Sequence, residues 1–409
     1  MQHLLFLAHR IPYPPNKGDK IRSFHLLQHL AARYHLHLGA FIDDATDWQY
    51  VETVKAYCAS THFVRLDSLR ARLRSLPALA TTRALSLDYY RDASMRRWVA
   101  QTLAAAPVSR ALVFSSVMAQ YAQDPRLTRR VIDFVDVDSD KWLQYAQKKR
   151  WPMRWLYRRE GRCLLDYERQ VAAFSDVSLF VSEAEAALFR RLAPESAGRI
   201  GHLNNGVDLD YFSPAHSFKN PYRAPAKVLV FTGAMDYWPN IDAVQWFAQA
   251  VFPEILARQP QARFVIVGAR PAAQVLALAQ LPGVGVTGTV PDIRPYLAHA
   301  RCAVAPLRIA RGIQNKVLEA MSMGIPVLAT PQAFEGISAT PGRDLLVADG
   351  ASALAEAALT LLQEPRDPAL ALAAEGRRLI ERQYAWRQQL AVLDTLMEPA
   401  AASSLVTES

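Results

Sequence analysis

Cysteine is scarce in this chain of 409 residues: only Cys58, Cys163 and Cys302 are present. They lie far apart, are odd in number and form no C-x-x-C pair, which argues against a disulfide framework or a zinc site and for a reducing compartment. Long apolar runs are missing too. No run of about 18 apolar residues occurs, so no segment is expected to span a membrane. The opening MQHLLFLAHRIPYPP interrupts its short apolar run at His9 and Arg10, as a first β-strand does and a signal peptide does not. No internal repeat of about 20 to 50 residues is found, and low complexity is confined to the alanine-rich end. No helix-turn-helix, zinc-finger or RNA-binding signature accompanies the basic residues, so nucleic acid is not expected as a partner.

The composition that remains is that of a globular α/β protein. Hydrophobic residues make up 51% and aromatics 10%, ample for two cores, and the length exceeds one typical domain. Short apolar strands alternate with amphipathic helices, the pattern of parallel sheets. Strands are predicted at 4–8, 36–42, 61–66, 111–115, 131–137 and 177–181, then at 228–233, 264–268, 284–287, 302–306, 326–330 and 345–348. The net charge of +9 is uneven: residues 1–215 hold 30 Lys and Arg against 22 acids (+8), and the rest hold 17 against 16 (+1). Its densest part, Lys148 to Arg169, interleaves basic residues with Trp151, Trp155 and Tyr157 at helical spacing. Two readings stand: a surface for anionic lipid or an acidic lipid-linked substrate, or a helix whose aromatics pack inward beneath solvated arginines.

Pro306 to Thr330, PLRIARGIQNKVLEAMSMGIPVLAT, joins a strand, a glycine-containing loop, a helix and a second strand around Glu319. The helix should open near Lys316, gathering free backbone N–H groups and a lysine where a phosphate can sit, and end at Gly324. Glu319, one turn in, is within reach of the sugar end of such a ligand. The segment resembles the donor site of the retaining glycosyltransferases of family 4, where it usually reads E-G-F-G-x4-E-A-M-A-x-G-x-P-V. Glu319-Ala320-Met321, Gly324 and Pro326-Val327 match, whereas the first glutamate is replaced by Arg311. His202 to Pro214, HLNNGVDLDYFSP, resembles the N-G-V-D-x-x-x-F-x-P linker between the two domains of these enzymes.

The resemblance implies a GT-B fold: two Rossmann-like domains with parallel sheets facing across a cleft and a C-terminal helix crossing back. The implied domains are residues 1–203 on the acceptor side, a linker 204–214, a nucleotide-sugar domain 215–375, a returning helix 376–397 and a disordered tail 398–409. It further implies retaining transfer from a nucleotide sugar to a glycan or lipid-linked acceptor; the cysteines point to the cytoplasm, and the basic N-terminal half allows a peripheral place on the inner membrane face. The donor would be held by Gly18, Gly233, Arg311, Gly312, Gln314, Asn315, Lys316 and Glu319. The stretch VLVFTGAMDYWPNIDAVQWF, from Val228, lacks the family's usual basic pair, having Met235 and Asn240 there; its G-x-M-x-Y-x-P-N pattern resembles sugar transferases of exosortase-type exopolysaccharide clusters. In that subgroup Arg311 and Lys316 would supply the positive charge, with no metal or other cofactor. A nucleotide-sugar 2-epimerase of the same fold, or a sugar-nucleotide-binding protein without turnover, are the alternatives.

Two further segments face the same chemistry. Val131 to Trp142, VIDFVDVDSDKW, brings acids to the carboxyl end of a strand, where ligands of such sheets bind. Asp138, and secondly Asp136, could orient or deprotonate an acceptor hydroxyl, or else cap the next helix; Asp140 and Lys141 are expected nearer the cap. The loop from His9 to Arg22 resembles the family's N-terminal glycine loop, which assigns Gly18 to a close approach and Arg10, Lys17 and Arg22 to acceptor or anion contacts. Asp136-Val137-Asp138 as a metal-binding D-x-D, and Gly283 to Gly288 as a dinucleotide fingerprint, both fail on context, since the first lies far from the donor segment and the second opens no helix.

Overall fold

The computed structural model describes residues 1–398 except Asn16, Lys148, Ala224 and Arg311. The described residues divide into two compact units, 1–204 with 390–398 and 205–389. The first holds seven parallel strands, β1 (Gln2–Ala8), β2 (Tyr34–Ile42), β3 (Ser60–Arg65), β4 (Val108–Phe114), β5 (Arg129–Val135), β6 (Val177–Phe180) and β7 (Ile200–His202). Their spatial order is β3-β2-β1-β4-β5-β6-β7, the doubly wound order with a reversal beside β1. Leu4 to Ala8 are fully buried, because a parallel strand covered on both faces favours an uninterrupted apolar run. Phe6 pairs in register with Leu38 on one side and Leu112 on the other. Four helices matter here: α1 (Gly18–Ala31), α2 (Ser68–Ser75), α3 (Asp138–Gln147) and α4 (Met153–Phe174).

The second unit repeats the plan with six strands, β8 (Lys227–Thr232), β9 (Ala262–Val267), β10 (Val284–Val286), β11 (Cys302–Ala305), β12 (Val327–Ala329) and β13 (Leu346–Val347). Their order is β10-β9-β8-β11-β12-β13. Its relevant helices are α5 (Trp238–Trp246), α6 (Asn315–Ser322) and α7 (Asp367–Gln383). The G-x-G-x-x-G stretch is β10 between two turns, with Gly283 and Gly288 at φ of 76° and 71°.

All twelve predicted strands are present, and β7 is an addition. At three residues, Ile200-Gly201-His202, it is too short to show a period of its own, and it is fixed by pairing with β6.

The expected single helix 376–397 is corrected to two: α7 ends at Gln383, and α8 (Trp386–Met397) follows. The break has a local cause. Ala385 bridges Val207 of the linker, the Val207 N–H donates to the Tyr384 carbonyl at 2.6 Å, and the Tyr384 hydroxyl interacts with the Ser338 N–H at 2.7 Å. Backbone pairing with the linker thus replaces a helical turn. Gly206 belongs to this junction, because a Cβ there would lie 2.6 Å from the Trp386 Cα. The end of α8 belongs to the first unit: Leu390, Leu393 and Met397 are buried, Arg110 and Arg129 donate to the Met397 and Leu396 carbonyls, and His29 meets Asp394 at 2.7 Å. Of the expected tail, only Glu398 falls within the described residues.

Candidate functional site

The carboxyl end of β8 and the start of α6 form one small polar site within the second unit. Gly233 follows β8 at φ 154°, and a Cβ on it would lie 2.8 Å from the Asn240 side chain. Gly268, after β9, is equally constrained, since its Cβ would fall 1.7 Å from the Gly233 carbonyl oxygen. These glycines let the two strand ends close up. Asn240, on the first turn of α5, donates to the Ala234 carbonyl at 2.9 Å and accepts from Lys316 Nζ at 2.6 Å. Lys316 Nζ also lies 4.7 Å from the centroid of the Phe231 ring, a cation–π contact. Met235 is a buried core residue.

The loop before α6 is shaped for approach to its N-terminus. Gly312 is left-handed at φ 62°, Gln314 donates to its carbonyl at 3.1 Å, and Asn315 accepts from Asn205 at 3.1 Å. No side chain caps α6; the Val317 and Leu318 N–H groups donate to the Gln314 carbonyl, which leaves those of Asn315 and Lys316 for an anion. The helix stops at Gly324, left-handed at φ 64°. Arg311 lies outside the described residues.

Glu319 is half-buried, and its carboxylate makes no hydrogen bond or ion pair among the described residues. Burial raises its pKa to about 7, with Lys316 one turn earlier opposing the shift. Burial likewise lowers the Lys316 pKa to about 8, opposed by Glu319. An acceptor pair and a cation, each underused, therefore sit about one helical turn apart beside free backbone donors. That combination suits a ligand with vicinal hydroxyls next to a phosphate. Asn240 went unnoticed as a functional residue in the sequence, where it reads only as the place of an absent lysine.

The first unit treats its expected site residues differently. Arg22 is corrected from an anion contact to a core residue: it is 1% exposed, its guanidinium donates twice to Asp133, at 2.7 and 3.2 Å, and once to the Leu203 carbonyl. A buried carboxylate requires such a partner. Arg10 is partly exposed but already held between Asp43 and Asp19, which raise its pKa against the opposing effect of burial. Lys17, just before α1, makes no side-chain hydrogen bond or ion pair among the described residues, although its charge helps to lower the Asp44 pKa. Gly18 opens α1, and a Cβ there would meet nothing within 4 Å, so packing inside this unit does not require a glycine.

Asp136 and Asp138 lie at the carboxyl end of β5, and both pair with Lys141, at 2.6 and 3.3 Å. Lys141, in the first turn of α3, is their counter-ion; burial opposes its protonation, but the two acids raise its pKa overall. Val135, immediately before, is left-handed at φ 70°, as is Ser115 after β4 at φ 79°. Left-handed backbone at a β-branched residue is costly and tends to mark functional sites. Beneath these acids, Glu168 is fully buried and accepts from the Ser139 backbone N–H and hydroxyl. Burial, helped by Asp138, raises its pKa to about 8.

Residues 226–364 match the family described as Glycosyl transferases group 1. No curated protein matches the chain. Among solved structures, the sucrose-phosphate synthase of Thermosynechococcus elongatus superposes with a TM-score of 0.70 at 17% identity, covering 97% of this chain and 98% of its own. HepE of Anabaena in complex with UDP gives 0.66 at 15% identity, over 97% and 99%. WaaG, a glycosyltransferase involved in lipopolysaccharide biosynthesis, gives 0.66 at 17%, over 97% and 100%. At these identities the likeness establishes the fold. The chain has the GT-B architecture, and its second unit carries a glycosyl transferase group 1 domain. The Lys316 and Glu319 pair lies inside that domain.

If Lys316 meets phosphate charge at the start of α6, Lys316→Ala should weaken donor binding more than it slows turnover at saturating donor. The ratio of the effects on KM and kcat checks this, and unchanged donor affinity would refute the role.

Proposed function

We propose that the chain is a retaining glycosyltransferase of family 4 that moves a sugar from a nucleotide-sugar donor to a glycan or lipid-linked acceptor. The observation that carries the proposal is the Glu319 carboxylate, unpaired among the described residues, one turn from Lys316 at a helix start that no side chain caps, inside the group 1 domain. Glu319 would accept from the ribose hydroxyls, while Lys316, the α6 N–H groups and Arg311 would meet the diphosphate, with Gly233, Gly312, Gln314 and Asn315 lining it. In the transfer step the bond from the anomeric carbon to the diphosphate breaks, the acceptor oxygen bonds on the same face, and the acceptor proton leaves to a base. Asp138, with Asp136 second, is the proposed acceptor-side base, and Gly18, Arg10 and Lys17 flank the acceptor or its anionic group. The proposed setting is bacterial exopolysaccharide or cell-surface polysaccharide synthesis at the cytoplasmic membrane face.

HepE has been solved with UDP-glucose, which makes a uridine donor the first to try. Thermal stabilisation by UDP-, GDP-, ADP- and TDP-sugars tests the donor reading, because a ligand at about a hundred times its Kd adds about 2.7 kcal/mol. No melting shift with any of them would overturn it. Conversion of the donor sugar without acceptor would instead identify an epimerase, and binding without transfer or hydrolysis a non-catalytic protein. In this reading backbone amides and a lysine would meet the phosphate charge, so turnover should survive EDTA. Activity lost on chelation and restored by Mg²⁺ or Mn²⁺ would bring Asp136 and Asp138 back as metal ligands.

A further inference from the structure

Two exposed, basic and apolar segments of the first unit are linked through side chains of α4. Trp151 and Trp155 are 83% and 55% exposed, and Met153 is exposed between them, which rules out inward packing for both tryptophans; Tyr157 alone turns in, edge-on to Trp142. Arg154, Arg158 and Arg162 follow at four-residue spacing along α4, all exposed and unpaired among the described residues. Between Lys141 and Leu165 the one acid is Glu160, and it faces inward, accepting from the Leu85 and Ser86 backbone N–H groups.

The second segment is α2, where Leu69 and Leu73 are 71% and 66% exposed among Arg70, Arg72 and Arg74, with Leu76 exposed just beyond. Arg159 of α4 donates to the carbonyls of Ala78, Thr81 and Arg83, which follow α2. With Glu160 it fixes the 78–86 segment, and through it α2, beside the start of α4. A depression of about 520 Å3 is lined by Trp151, Trp155, Arg154, Arg158 and Arg162.

We propose that this surface docks on an anionic lipid bilayer, with the tryptophans and leucines seated at the headgroup boundary and the arginines on lipid phosphates. Charge complementarity selects this occupant. Arginines surround the apolar side chains, Glu160 is turned inward, and the exposed Asp67 at the start of α2 is already paired with Arg70 at 3.6 Å, which leaves the face net positive. Tryptophan and arginine are also the side chains suited to a wet, anionic interface. The docking is independent of glycosyl transfer.

The test is sedimentation of the full chain with vesicles of phosphatidylglycerol mixed into phosphatidylcholine. Binding should be strong there, weak on phosphatidylcholine alone, and lost in about 1 M salt, where charges are screened beyond about 3 Å. Each basic residue at such a surface is worth about fivefold in affinity, so Arg154→Glu with Arg158→Glu should lower vesicle binding at least about twentyfold. Arg154→Lys with Arg158→Lys should retain it. Leu69→Asp with Leu73→Asp should weaken it too if both segments form one surface. All these side chains are exposed, so melting temperatures should not change. Equal binding to neutral vesicles, unchanged binding of the glutamate variant, or a concentration-dependent dimer abolished by the same substitutions would overturn the proposal.

Discussion

Replacing Glu319 by alanine should raise the donor dissociation constant at least about tenfold and leave the fold intact. Hydrogen bonds to a charged acceptor contribute roughly 1.5–3 kcal/mol, and every 1.4 kcal/mol is about tenfold in affinity. Because the carboxylate has no hydrogen-bond or ion-pair partner among the described residues, its removal strands no buried donor among them, and calorimetric titration with donor reads the lost ligand contact. Unchanged affinity in a folded Glu319→Ala protein would remove Glu319 from the site. The same pair sets a pH window. With a raised pKa of about 7, Glu319 takes up a proton as pH falls through that value and would lose acceptor capacity for the proposed ribose contact. With a lowered pKa of about 8, Lys316 loses its charge as pH rises through that value. Donor affinity should therefore peak between about 7 and 8 and fall on both sides, and a monotonic profile would contradict the pairing.

Removing one partner of the Arg22–Asp133 pair should cost the first unit about 3–5 kcal/mol, as expected when a buried charge loses its counter-ion. Asp133 is 0% exposed and Arg22 1%, and together they join α1 to the end of β5. Denaturant melts of Arg22→Met and Asp133→Leu should each show the loss. The double variant should recover much of it, because an apolar pair of similar volume escapes desolvation. Additive losses in the double variant would show that the two residues act separately.

What the sequence determines here is periodic or local. The strands were legible because parallel strands buried on both faces are written as apolar runs between turn residues, as in Leu4 to Ala8 and Val228 to Phe231. The α6 segment was legible because an uncapped helix start, a lysine, a glutamate one turn later and a terminal glycine all fall within a short stretch. Where the outcome depended on distant partners, the sequence was silent. Arg22 looked like a loop cation beside Arg10 and Lys17, and only the fold places it against Asp133, 111 positions away. Asn240 seemed a missing lysine until the structure set it 2.6 Å from Lys316. The break after Gln383 could not be read from an amphipathic pattern that continues across it, since its cause is backbone pairing with Val207. The sequence also left Trp151 and Trp155 between core and surface, because helical spacing fixes which residues share a face but not what that face meets. Burial and ion pairing are properties of three-dimensional neighbours, so they were settled only when the chain closed on itself.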